Sequence, residues 1–243
     1  MRQNSSGFTI VELLIVVVVI AILATIGMVS YQGIKSRAQS SLVQSDVRSI
    51  GQRIEVARVE NGGYPALIDD CPSPAGGNLC LASSGGTTFR YDNGTSSAGG
   101  YGGYAGKLVG SGYNLGIMAQ DRFLYVGSVE REGSNEFLQY VNLAPYIDKY
   151  GLRKYRLSFD IKSTDSSVQS TISIYFQNGS TAKYSMSPNQ LKVTASGAYT
   201  NHVIEFTPSL SNTTDTQSIL AFYGAYGTGN RPVVKNVRFE LAN

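Results

Sequence analysis

The 243-residue chain has no tryptophan, one histidine (His202) and two cysteines. This inventory argues against a zinc site, because such sites need four or so Cys, His or acidic ligands and the chain has no second cysteine pair. No nucleophile, base and orienting group can be combined into a catalytic set either. The sequence therefore predicts a protein that is not an enzyme and that has no resident cofactor.

Charge is also scarce, since Asp, Glu, Lys and Arg make up 15% of the residues and the net charge is +3. The basic residues are scattered rather than clustered on one segment, which is not the pattern of a nucleic-acid-binding protein. What the chain has instead is 16 tyrosines and 27 glycines. That composition is typical of a loop-rich extracellular β protein.

Residues 8–27 form an apolar run whose only charge is Glu12. Twenty helical residues span about 30 Å, which is the thickness of the hydrocarbon layer of a bilayer. A carboxylate in such a segment costs a few kcal/mol unless it is paired, so Glu12 marks a functional position. The run is longer than the apolar part of a secretory signal, and no A-x-A cleavage pattern follows it.

The start of this run, Gly7-Phe8-Thr9 followed by Val11-Glu12, resembles the processing site of type IV pilins and pseudopilins. In that family a membrane peptidase cuts after the glycine and methylates the new N-terminus. The resemblance implies that residues 1–7 are a leader, that the chain is cut between Gly7 and Phe8, and that Phe8 is N-methylated. It also implies that Glu12 meets the N-terminal amine of a neighbouring subunit during assembly, which offsets the cost of the buried charge.

The same resemblance implies the partners and the location. The partners are the prepilin peptidase, an inner-membrane assembly platform and other pilin subunits. The precursor is a single-pass bacterial membrane protein, and the assembled form is an extracellular filament at the cell surface. DNA-uptake pili belong to this family too, so charge alone leaves nucleic acid open as a partner. A plain membrane anchor is the alternative.

Residues 8–60 are predicted to form one long helix, because no proline interrupts residues 28–60. Its second half carries an apolar stripe expected to pack on a globular head. A coiled-coil stalk is the alternative. Glycine and proline in Asn61-Gly62-Gly63-Tyr64-Pro65 end the helix, and this string resembles the Gly-x-Tyr-Pro of many pilins. The stripe consists of Val43, Val47, Ile50, Ile54 and Ala57.

Residues 61–117 are predicted to be a glycine-rich, irregular pilin-like region with short strands. It contains Cys71 and Cys80. Outside the cytoplasm, a closely spaced cysteine pair is typical of a disulfide. Two free thiols are the alternative.

Residues 118–243 show short runs of period-two alternation between turn residues, which is typical of half-buried antiparallel strands. The clearest run places Tyr155, Leu157, Phe159 and Ile161 on one face. The chain is therefore predicted to be α+β, with a C-terminal antiparallel β-sandwich. Residues 141–148, 152–162 and 235–241 resemble the galactose-binding-like jelly roll of carbohydrate-binding modules.

That second resemblance makes the tyrosines of the sandwich candidates for stacking on sugar rings, with Arg131, Gln139 and Gln177 as polar neighbours. Alternation predicts that Tyr175 and Gln177 point away from the core. The alternative is that the tyrosines simply cover the sheet. Relatives often hold a structural Ca²⁺, for which Glu240 or Asp160 are the candidates. The predicted ligand-binding residues are Tyr140, Tyr175, Gln177, Tyr223 and Tyr226.

Together these features predict a pilin-like subunit, minor or at the filament tip, whose sandwich is used for adhesion to a surface glycan. One alternative is a structural pseudopilin of a type II secretion or DNA-uptake system. The other is a membrane-anchored binding module that does not polymerise.

Overall fold

A computed structural model describes residues 9–66, 68–69, 79–81, 86–94, 106–134, 136–165, 170–179, 181–187, 191–224 and 227–242. These residues form two helices, α1 (Ile10–Asn61) and α2 (Ala144–Tyr150), and fifteen strands. The strands are β1 (Ile68–Asp69), β2 (Leu79–Cys80), β3 (Thr88–Asp92), β4 (Lys107–Leu108), β5 (Asn114–Met118), β6 (Phe123–Gly127), β7 (Arg131–Glu132), β8 (Phe137–Asn142), β9 (Tyr155–Ser163), β10 (Ser170–Gln177), β11 (Tyr184–Ser187), β12 (Leu191–Ala195), β13 (Thr200–Leu210), β14 (Ile219–Tyr223) and β15 (Pro232–Leu241).

Helix α1 is one uninterrupted helix of 52 residues, which corresponds to a length of roughly 78 Å. It runs through Gly27 and Gly33 without a break. It ends at Gly62, whose φ of 72° is a left-handed conformation that glycine adopts without steric cost. Its N-terminal half is exposed and, within the described residues, α1 is the one helix long and apolar enough to cross a membrane.

The second half of α1 packs on a sheet, as the apolar stripe predicts. Ile54 is fully buried, and Val43, Ile50 and Ala57 are nearly so. Their partners lie on the hairpin formed by β5 and β6. Over these residues the helix therefore lies on its own head rather than in a coiled coil. The hairpin residues in this small core are Leu115, Ile117 and Leu124.

Polar contacts fix the turn of that hairpin to the middle of α1. Arg122 donates from Nη2 to Ser36 Oγ at 2.8 Å. The backbone N–H of Asp121 donates to Gln39 Oε1 at 3.0 Å. The head therefore contacts α1 at Ser36 and Gln39, far before the C-terminal end of the helix at Asn61.

The strands form two main sheets. The larger has the order β11-β13-β9-β15-β6-β5-β3, with β7 also paired to β15 and β4 paired to β7. The smaller has the order β12-β10-β14-β8. Strand β15 lies between β9 and β6 and pairs antiparallel with both. The hairpin that receives α1 and the C-terminal sandwich therefore share one continuous sheet.

The two sheets enclose the main core, as predicted for a β-sandwich of the jelly-roll class. Tyr155, Leu157, Phe159 and Ile161 on β9 are all 0% exposed. They alternate strictly with half-buried residues along the strand. Strand β15, beside β9 in the same sheet, adds further core residues, and strands β10 and β14 of the smaller sheet contribute the facing ones. The residues of β15 are Val237, Phe239 and Leu241, and the facing residues include Ile172, Ile174, Phe176 and Phe222. The predicted domain division at residues 117 and 118 falls at the end of β5, and it stays a prediction.

Short helix α2 closes one end of this core. The rings of Tyr146 and Tyr150 stack on Phe123 at centroid distances of 4.9 and 4.8 Å. On its other side, Asp148 accepts hydrogen bonds from Lys183 Nζ at 2.7 Å and from Tyr184 Oη at 2.5 Å. Asp148 thus ties α2 to strand β11.

The contacts of Asp148 predict a pH-dependent contribution to stability. Burial raises the pKa of this carboxyl, but the hydrogen bonds from Lys183 and Tyr184 outweigh that effect and hold it below 3.8. A carboxyl with a lowered pKa stabilises the fold above its ordinary pKa and loses this effect as the pH falls. We expect Asp148→Asn to be less stable than the wild type at neutral pH, and the gap to close as the pH falls below 3.8.

Chemical denaturation of the full chain in detergent, repeated along a pH series, measures this gap. Lys183→Gln removes the partner instead of the acid and should reproduce the same closing trend. A gap that stays constant in acid contradicts the assignment.

Candidate functional site

The first candidate region is the N-terminal end of α1, where Thr9 and Glu12 cap the helix for each other. Glu12 Oε2 accepts from the backbone N–H of Thr9 at 2.8 Å and from its hydroxyl at 2.7 Å. Thr9 Oγ1 accepts in turn from the backbone N–H of Glu12 at 3.3 Å. This reciprocal arrangement is a capping box, which satisfies N–H groups that have no partner inside the helix. Gly7 and Phe8 lie outside the described residues, so cleavage and N-methylation stay predictions.

The second candidate region is the outer face of the smaller sheet. In register, Gln139 on β8 lies beside Ala221 on β14, which lies beside Tyr175 on β10. The neighbouring row holds Phe137, Tyr223 and Ser173. Side chains alternate along a strand, so these residues and Gln177 lie opposite the core residues of the same strands. We call Phe137, Gln139, Tyr175, Gln177 and Tyr223 the outer-face cluster.

The outer-face cluster combines half-buried rings with amide oxygens that have no partner. Tyr175 and Tyr223 are partly exposed. Burial, with a smaller contribution from Tyr223, raises the pKa of Tyr175 to about 12, so its hydroxyl is neutral and can donate. Gln139 is 1% exposed, and neither its Oε1 nor the buried Oε1 of Gln177 has a hydrogen-bond partner among the described residues. A buried acceptor without a donor costs about 1–3 kcal/mol.

The structure corrects the expectation for Tyr140. Its side chain is 1% exposed in the main core. Its hydroxyl donates to the carbonyl oxygens of Gly127 and Val129, at 3.2 and 2.5 Å. The ring therefore has no surface on which a sugar could stack. Tyr226 lies outside the described residues, and Arg131 lies on β7 in the larger sheet, away from the outer-face cluster.

Other predicted site residues have structural partners or are not described. Asp160 accepts from Asn201 Nδ2 and Asn236 Nδ2 at 2.8 and 2.7 Å. Glu240 accepts from Arg238 at 3.4 Å. In the part of the chain that the structure describes, no three His, Cys, Asp or Glu residues come together as a metal site would require. Cys71 is not among the described residues, so its bond to Cys80 stays a prediction.

Known proteins match the N-terminal part of the chain. Residues 2–28 match the family described as the prokaryotic N-terminal methylation motif. Type II secretion system core protein G of Klebsiella michiganensis is 31% identical over 64 residues, which is 26% of this chain and 45% of that protein. The type IV narrow pilus major component PilA5 of Thermus thermophilus is 29% identical over 93 residues, which is 38% of this chain and 77% of that protein.

These matches show that part of the chain, residues 2–28 included, is similar to type IV pilins and pseudopilins. The chain spans about half the length of the secretion-system relatives that it matches, 45% and 46% for the Klebsiella michiganensis and Pseudomonas aeruginosa proteins. The motif and the apolar helix together indicate a membrane-anchored precursor.

Solved structures that resemble part of this chain include carbohydrate-binding modules. The family 11 module from Clostridium thermocellum is 14% identical and covers 64% of this chain and 84% of its own, with a TM-score of 0.27. A family 4 module is 12% identical and covers 65% of this chain and 95% of its own, with a TM-score of 0.33. At these scores the sandwich assignment rests on the strand order and the core described above.

Proposed function

We propose that this pilin-like subunit occupies a minor or tip position in a surface filament and that its sandwich binds a surface glycan. The observation that carries the proposal is the outer-face cluster, whose rings and unpartnered amide oxygens lie on the sheet face opposite the core. The proposal has three parts: how the subunit assembles, where it lies in the filament, and what it binds.

Assembly is argued from Glu12. Both hydrogen bonds that its carboxylate accepts end on Oε2, so Oε1 accepts none from the described residues. Cleavage after Gly7 would leave a charged amine on Phe8, next to Thr9. In our proposal, Oε1 pairs with the amine of a neighbouring subunit when apolar α1 segments stack. That pairing satisfies a charge which is otherwise costly in an apolar setting.

The proposed minor or tip position follows from the size of the sandwich. The sandwich joins the helix-bearing hairpin through the ladder between β15 and β6. The sandwich cannot swing aside on a flexible linker, because β15 is paired with β9 of the sandwich on one side and with β6 of the hairpin on the other. A module of this size on every subunit would hinder dense packing along a filament, whereas one at the tip would not.

Glycan binding is argued from chemistry. Sugar rings present apolar C–H faces and many hydroxyl groups. The rings of Tyr175 and Tyr223 offer flat surfaces for the former. The Tyr175 hydroxyl offers a polar group for the latter, whereas the Oε1 atoms of Gln139 and Gln177 are buried and would have to move to reach a sugar. Proteins bind small ligands with a similar mixture of aromatic area and a few fixed polar groups.

The test is binding of the full chain, in a detergent without a sugar headgroup, to a glycan array with and without Ca²⁺. We expect Tyr175→Ala to weaken binding about tenfold, which corresponds to about 1.4 kcal/mol and is of the size of aromatic contacts. Tyr31→Ala is the matched control, because Tyr31 is 69% exposed on α1, far along the chain from the cluster. Equal binding by all three proteins, or no binding at all, contradicts glycan recognition by this face.

The alternative function, a structural pseudopilin of a type II secretion or DNA-uptake system, is favoured by one observation, the match to secretion system core protein G. In that case deletion of the gene should stop secretion or DNA uptake, and the purified chain should bind no glycan. The two functions are therefore separated by the same array experiment combined with one deletion strain.

A further inference from the structure

A cleft of about 300 Å³ lies where the helix-bearing hairpin meets the sandwich. It is on the opposite side of the hairpin from α1. Leu124 on β6 faces α1, whereas the next residue, Tyr125, contacts Tyr146 of α2 at a ring distance of 5.9 Å. Strands β3, β5 and β6 form one wall, and β8 with α2 forms the other. The lining residues used below are Arg90, Asp92, Asn114, Asn142, Tyr146 and Gln217.

Tyr146 presents its hydroxyl to this cleft. Its side chain is 4% exposed. The hydroxyl lies directly over Gly116, where an added Cβ would collide with it. No described residue hydrogen-bonds to that hydroxyl. The hydroxyl is therefore free to donate to a ligand in the cleft.

Arg90 brings an unpaired positive charge to the same cleft. It lies in register with Gly116, which in turn pairs with Tyr125, so all three share one face of the sheet. Its side chain is exposed and forms no ion pair with the described residues. An arginine fork is suited to a planar carboxylate, which it can hold by two parallel hydrogen bonds.

The acceptors of the cleft are already occupied. Asp92 accepts from the backbone N–H of Gly94 at 2.8 Å and from Asn114 Nδ2 at 3.0 and 3.2 Å. Asn114 Oδ1 accepts from Tyr125 Oη at 2.9 Å. Asn142 Oδ1 accepts from the backbone N–H groups of Ala144 and Ser218 at 3.1 and 2.9 Å.

The groups that remain open are therefore mainly donors. They are the Arg90 guanidinium, the Tyr146 hydroxyl, Asn142 Nδ2 and the side-chain amide of Gln217, which has no hydrogen bond to a described residue. Arg90 and the Asp92 carboxylate give the cleft one charge of each sign, so its preference for a ligand that accepts hydrogen bonds rests on these donors. Val141 and Pro145 add apolar wall beside these groups, and the volume is at the small end of ligand sites, which run from about 300 to 1,000 Å³.

We propose that this cleft binds a ligand carboxylate, with Arg90 and Tyr146 as the residues that hold it; that the ligand is an acidic sugar rests on the proposed function. The site is separate from the outer-face cluster and does not depend on it. Because its two walls come from the hairpin and from the sandwich, the ligand would contact both parts of the head at once.

The experiment is isothermal titration of the full chain, in a detergent without a sugar headgroup, with glucuronic acid and with sialic acid. Glucose is the neutral comparison. We expect both acids to bind, glucose to bind at least about tenfold more weakly, and added salt to weaken the acids. Arg90→Gln should lower the affinity for the acids by about tenfold or more, the scale of a charged hydrogen bond.

Two further variants separate a binding role from a structural one. Tyr146→Phe removes a hydroxyl that has no protein partner, so Tm should not fall, while the affinity for the acids should fall about three- to tenfold. Arg153→Gln, at an exposed arginine outside the cleft, should bind like the wild type.

Tyr175→Ala should also keep its affinity for the acids, which distinguishes this site from the outer-face cluster. The proposal is overturned if neither acid binds, if glucose binds as well as the acids, or if Arg90→Gln binds like the wild type.

Discussion

Phe239→Ala should lower the free energy of unfolding of the head by about 3–5 kcal/mol, the largest stability effect that we expect from one substitution. Phe239 is 0% exposed and lies on β15, the strand shared by the hairpin and the sandwich. Its ring stacks on Tyr155 at 5.0 Å and also contacts Phe123 at 5.3 Å. Removing it would open a cavity among rings that cannot all shift to fill it. Domains are stable by about 5–15 kcal/mol, so the loss is a large fraction of the total.

Urea denaturation of the full chain in detergent, followed by tyrosine fluorescence, measures the effect. Val203→Ala is the matched control, because Val203 is 58% exposed on β13 and should change stability by less than about 0.5 kcal/mol. If both variants unfold at the same urea concentration, the central position of Phe239 in the core is contradicted.

Glu12→Ala should reduce surface filaments by at least about tenfold, because the neighbour's amine would then lack the carboxylate that offsets its charge in an apolar setting. This variant also removes the helix cap formed with Thr9, so a second variant is needed to separate the two effects. Glu12→Gln keeps an amide oxygen that can accept from Thr9 but removes the charge. If the charge is what assembly requires, both variants should fail.

Filaments sheared from cells and counted by electron microscopy provide the measurement, with an immunoblot of the membrane fraction to show that the subunit is still made. Glu60→Gln is the control, because Glu60 is exposed near the far end of the same helix. Normal filament numbers in Glu12→Ala would contradict the pilin-type assembly and favour a membrane-anchored module that does not polymerise.

Local periodicity was sufficient to predict much of the fold. The spacing of Val43, Ile50 and Ile54 identified the helix face that packs on the sheet, and these residues are buried. The alternation in residues 155–161 identified a strand with one buried face, and its burial alternates at every position. These faces could be predicted because the period of a helix or a strand repeats within a few residues of the sequence.

The pairing of β15 with both β9 and β6 could not be predicted in this way. Residues 237–240 of β15 pair with residues 124–127 of β6, more than a hundred residues earlier in the chain. Alternation shows which face of a strand is buried, but it does not identify the strand's neighbours. The division into a pilin-like region and a sandwich was therefore visible in the sequence, and the sheet that joins them was not.

For the candidate sites too, the sequence was sufficient to predict the placement of some residues and insufficient for others. Strand alternation correctly put Tyr175 and Gln177 on the face away from the core. The same alternation puts Tyr140 on one face of β8 with Leu138, which is 0% exposed, so the burial of Tyr140 could have been predicted from the sequence. Arg90 and Tyr146 were missed because they belong to a strand and a helix that are distant in sequence and meet only in the folded head.

The shared sheet would have a mechanical consequence if, as we propose, the sandwich binds a surface ligand and α1 anchors the subunit. A pull on a ligand held by the sandwich would reach α1 through the ladder between β15 and β6 and through the core beneath the helix. Among the described residues no unpaired segment interrupts this path, so load would reach the anchor as soon as tension begins. Detachment would then be decided by whichever is weaker, the ligand contact or the hold of the helix on its neighbours.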